Sequence, residues 1–172
     1  MTAAGMPLPR WAWTAGDGRQ SADHDTLSQA KALVPTRYDG FVPSNDAALR
    51  YGLALNDAGF FWESHEVLEA VWKAAPQGGR DRILLRACIQ VANANLKRKM
   101  SRANALRKLL REALADLTEF EMRQATGSAA SFAATFNSQA LRAVIAKQSQ
   151  AADETPSRFA SDYATKYIFL AA

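Results

Sequence analysis

Cysteine is nearly absent from this chain: one residue, Cys88, in 172. A lone thiol excludes an internal disulfide framework and a CxxC zinc site, and it suits a reducing compartment. No apolar run approaches the roughly 20 residues that span a bilayer. The N-terminal stretch MTAAGMPLPRWAWTAGDG lacks the long apolar segment of a signal peptide. These absences lead us to expect a cytoplasmic protein without a membrane partner. A Gly-rich phosphate loop is also missing, because QGGRDR at 77–82 is too short and follows no strand. There is no dinucleotide fingerprint and no EF-hand loop. Neither an internal repeat nor a sustained alternating strand pattern is present.

What remains is a chain that is 48% hydrophobic and 22% charged, enough for an ordinary soluble core. The expected class is all-α: a compact bundle of about five helices, built on an antiparallel helix hairpin with a central apolar third helix. Residues 1–43, with Pro7, Pro9, Pro35 and Pro43, read as an arm that wraps a core. A short helix is expected near 25–33. Trp11 and Trp13 would be costly to leave in water, so the arm should dock. Residues 44–124 read as the helical core domain, and 125–172 as a C-terminal helical extension.

Within the core, Ser44 is placed to cap a first helix over 45–58. Gly59 breaks it, and a second helix spans 60–75, ended by Pro76, Gly78 and Gly79. The third, 80–99, is apolar nearly all round, with one polar stripe at Arg86, Gln90, Asn93 and Lys97. The fourth, 102–124, is amphipathic. TGSAASFAA at 126–134 reads as a loop, a fifth helix covers 138–151, and the aromatic tail after Pro156 suggests a final helix packed on the core or a second subunit.

The net charge is +4, and KRKMSR at 97–102 carries four of the cations. An anionic partner could use that patch. Cations completing a helix C-terminus explain it better, and no aromatics interleave as a single-strand groove requires. Nucleic acid is therefore disfavoured, and a homo-oligomer or protein partner is the open alternative.

One of the two histidines sits in WESHEVLEAVW, 62–72. On a helical wheel His65 falls within an apolar arc containing Phe61, Leu68 and Trp72, with Glu69 at its edge. Glu63, Glu66 and Lys73 turn toward the other side. A His and a carboxylate at i and i+4 can chelate one divalent transition metal. A third ligand is needed: Glu63 and Glu66 are near in sequence but poorly directed, Asp57 at the hairpin turn is a candidate, Gln90 and Asn93 are weak neutral ligands, and Cys88 lies away from the Gln90 stripe. The same pair could orient His65 as a general base. It could equally be a structural polar pair, His65 with Glu69, closed by Gln90.

The segments 55–75 and 82–114 resemble the prokaryotic domain of unknown function 309. That family is recognised by HxxxExx(W/Y), here His65, Glu69 and Trp72. Gly59, Phe61 and Glu63 before the motif, and Cys88-Ile89-Gln90 on the next helix, are similar too. Many members carry a Gly-Asn turn before the fourth helix where this chain has Met100-Ser101. The resemblance implies a small all-helical protein with a metal-binding motif, labelled in some members a metal-dependent hydrolase. Two functions follow as expectations: a metal site, with hydrolysis as its extension, or a helical interaction module. A ligand site on Arg86, Gln90, Asn93 and Lys97 ranks third.

Overall fold

The computed structural model describes residues 5–14, 23–125 and 127–154; side chains are described through residue 152. Seven helices occur among them: α1 (His24–Ala32), α2 (Ala47–Asp57), α3 (Phe61–Ala74), α4 (Arg80–Lys99), α5 (Ala103–Met122), α6 (Phe132–Thr135) and α7 (Ser138–Glu154). The described residues contain no strand, only an isolated antiparallel bridge between Pro43 and Ser131. The fold is all-α, as the sequence predicts. No described helix is long and apolar enough to cross a membrane.

Neighbours in sequence pack as neighbours in space: α2 on α3, α3 on α4, α4 on α5, and α5 on α7. α4 is the central element. Leu84, Leu85, Ala87, Cys88, Val91, Ala92 and Ala94 are all fully buried. An element apolar on nearly every side must be covered on nearly every side. Its polar stripe has a different partner from the expected one. Arg86 pairs with Asp116 and Glu119, and Gln90 donates to Glu112 at 3.0 Å. Those acceptors belong to α5, so Gln90 does not close a cluster around His65.

The α2–α3 turn is short because Gly59 takes φ +87°. The Phe60 N–H reaches Leu55 O and the Gly59 N–H reaches Asn56 O, which ends α2 in a Schellman motif. The α4–α5 turn repeats the device with Ser101 at φ 56°, a left-handed residue without glycine's freedom. Gly52 allows α2 and α3 to approach closely: a Cβ there would lie 2.8 Å from Leu68 Cδ2.

Two local expectations are corrected. Asp46, not Ser44, caps α2, its Oδ1 accepting the Leu49 N–H at 2.8 Å. Ser44 is drawn instead into the bridge region, where its N–H donates to Ala130 O. The stretch 126–134 is not simply a loop, because α6 begins within it. The Ser131 Oγ accepts the Ala134 N–H, the Phe132 N–H donates to Val42 O, and the Ala133 N–H donates to Asp81. Tertiary acceptors stabilise a four-residue helix that local propensity would not. The final helix expected beyond Pro156 lies outside the described residues.

Candidate functional site on the third helix

The buried face of α3 comprises Glu63, Ser64, Val67, Leu68, Val71 and Ala74. Their spacing is a regular helical stripe. The wheel reading is therefore rotated by about one residue step. His65 and Trp72 lie on the shoulder of the stripe, and Glu69 turns away from the core. Glu63, expected on the far side, is fully buried.

A carboxylate in that position needs donors. The arm supplies one: the Trp13 backbone N–H reaches Glu63 Oε1 at 2.7 Å. The Trp13 ring packs on Trp62 with centroids 5.2 Å apart. Further along the arm, Pro7 O accepts from the hydroxyl of Tyr51, another fully buried residue, at 2.8 Å. Burial pushes the Tyr51 phenol up to about 12. The Arg10 backbone N–H and guanidinium both donate to Asp23. Those hydrogen bonds, the backbone one foremost, hold the Asp23 carboxyl near 2. The arm docks, as its tryptophans suggest, and backbone groups of the arm provide much of the grip. Glu63 is in phase with Val67, Val71 and Ala74, but a carboxylate in that phase does not by itself signal burial.

His65 is partly buried, and its Nδ1 lies 3.6 Å from Glu66 Oε1. That nitrogen is buried and makes no hydrogen bond. Burial lowers the imidazole pKa, opposed by Glu66 and Glu69, so the ring is neutral at pH 7. Glu66 is tied to Lys31 of α1 at 2.6 Å. Glu69 pairs with Lys73 at 3.2 Å on the exposed flank. The expected dry pair of His65 with Glu69 is thus absent. Trp72 closes the corner between α3 and α4: the Arg82 guanidinium stacks 3.9 Å above its ring and donates to Trp72 O and Ala75 O. Cys88 is buried in the core, and burial raises its thiol pKa, which keeps it protonated and inert.

A metal would find a neutral imidazole with an unused nitrogen and carboxylates close by. That chemistry suits a divalent transition ion. Yet no three side chains of the ligating types converge among the described residues. His65 with one neighbouring carboxylate meets a loosely held ion, and falls short of the three protein ligands of a hydrolytic centre.

Residues 49–109 match the model of a family described as a domain of unknown function, DUF309. Over that segment the chain is similar to DUF309. The match runs from α2 through the first turns of α5, so Tyr51, Glu63 and His65 all lie within the matched segment. The docked arm lies outside it. Neither curated proteins nor solved structures yield a match to the chain.

Proposed function

We propose that the DUF309-like part of this chain is a helical interaction module that grips an extended segment across α2 and α3. The observation carrying this reading is that two of its fully buried polar side chains, Tyr51 and Glu63, are engaged by backbone atoms of residues 7 and 13. Backbone recognition tolerates changes in sequence, while the aromatic contact with Trp62 supplies selectivity. In this chain the arm occupies the groove in cis. A cytoplasmic setting belongs to the same reading, supported by the lone, unreactive Cys88.

The test uses a labelled peptide with the sequence of residues 5–14, GMPLPRWAWT. A chain beginning at residue 15 should bind it with micromolar affinity, while the full chain should not. Glu63→Gln in the shortened chain should weaken binding roughly tenfold, a loss of about 1.4 kcal/mol. A shortened chain that keeps its helical circular dichroism and cooperative melting, yet ignores the peptide, removes the reading.

A second reading is favoured by the unused Nδ1 of His65: binding of a divalent transition metal at His65 with Glu66 or Glu69, with metal-dependent hydrolysis as its extension. Protein purified without a histidine tag should then carry metal, and His65→Ala should lose it. If no metal is bound and none added at micromolar level raises the melting temperature, this reading fails.

A further inference from the structure

The α3–α4 turn, the end of α5, the segment before α6 and residues 40–41 enclose a cleft of about 750 Å³. Its wall includes Arg80, Asp81, Arg123, Gly79 and Ser128. That volume falls within the range of small-molecule sites.

Arg80 is the anomalous residue. A guanidinium carries five N–H donors. Here Nη2 makes one long hydrogen bond, 3.4 Å to Phe120 O. Nε is buried without an acceptor. No carboxylate lies within ion-pair reach among the described residues. The group is held in place by stacking 4.2 Å over the Phe120 ring. Arg123 differs in this respect, since it is tied to Gly78 O and to Glu119, so it contributes charge and wall rather than free donors. Asp81 does not cancel Arg80 by direct contact. Its two oxygens accept the N–H groups of Val42 and Ala133, at 2.9 and 2.7 Å. These bonds join the cleft's walls to each other.

The backbone supplies donors in the same place. α4 starts at Arg80, and its N-cap, Gly79, offers no side-chain acceptor. The Arg80 and Asp81 N–H groups therefore have no partner within the helix. A planar fork short of acceptors, beside unpaired amides and a second guanidinium, is suited to a group with several anionic oxygens.

We infer that this cleft binds a phosphate-bearing small molecule, with Arg80 as the chief contact and Arg123 supporting it. The site is independent of the peptide groove and of His65. The probes are inorganic phosphate and adenosine 5′-monophosphate, titrated into the full-length protein at constant ionic strength and followed by ¹⁵N NMR. The expected result is saturable shifts of the Arg80 side-chain and backbone N–H signals and of the Asp81 amide. Binding should weaken roughly tenfold in Arg80→Lys, which keeps the charge and loses the fork. Tighter binding of the nucleotide supports an esterified ligand, and equal affinities support free phosphate. If neither probe shifts these signals at millimolar concentration in the unaltered protein, the inference is overturned. It is also overturned if a folded Arg80→Lys chain binds both probes as the parent does.

Discussion

The backbone N–H of Trp13 donates to Oε1 of Glu63 at 2.7 Å, and Glu63 is fully buried in α3. A carboxyl group in the core of a helix hairpin is thus joined to an arm fifty residues away in sequence. Removing the carboxylate leaves arm and core mismatched. We expect Glu63→Ala to lower stability by about 2–3 kcal/mol, the scale for a hydrogen-bonding group left without its partner. Urea unfolding followed by tryptophan fluorescence measures this, and a loss within about 0.5 kcal/mol would show that Glu63 is not an anchor.

Gly52 sets the distance between α2 and α3. An added Cβ would meet Leu68 Cδ2 at 2.8 Å and Cγ at 2.9 Å. Leu68 is fully buried, so it has little room to yield. Gly52→Ala should destabilise by about 1–3 kcal/mol despite its better helix propensity. A more stable variant in thermal melts would contradict this close contact.

Ser101 occupies a left-handed position, φ 56°, in the α4–α5 turn. Glycine adopts that conformation without a Cβ penalty. Ser101→Gly should stabilise by about 1 kcal/mol, read as a higher urea midpoint at unchanged slope.

Gln148 lies on the inward stripe of α7 with Leu141, Ile145 and Ala152. It is buried, and neither amide atom makes a hydrogen bond. Gln148→Leu removes an unsatisfied group at similar volume and should stabilise by about 1–2 kcal/mol. Calorimetry would show the change, and a lower melting temperature would mean that the amide has a partner in solution.

Two groups give stability opposite-looking origins but the same sign with acid. Asp23 titrates near 2 rather than at its ordinary 3.8. Its contribution is complete above about pH 4 and is lost as pH falls toward 2. His65 has a lowered pKa because burial disfavours its charged form. Below its ordinary value of 6.5, the unfolded chain takes up a proton that the folded chain resists, so stability falls with pH there as well. His65→Gln should flatten the stability profile as pH falls below about 6.5 while leaving the later drop below about pH 4. An unchanged slope in urea titrations would place the histidine in water.

The sequence by itself determined the helices whose apolar periodicity and end signals agree. α4 begins and ends where its pattern does, and α3 stops before Pro76 as the proline and glycines require. It also determined that the arm must dock, because two tryptophans cannot cheaply stay in water, and it exposed the HxxxExxW motif. Tertiary structure alone decided which face of α3 is inward. Hydropathy places Glu63 outside, and a backbone donor from the distant arm helps to satisfy it inside. It likewise decided that Gln90 serves α5 rather than His65, since a polar stripe on a central helix does not specify its partner. α6 depends on contacts among Val42, Ser44, Asp81 and the 130–133 segment. Its energy comes from residues far apart along the chain, so no local pattern records it.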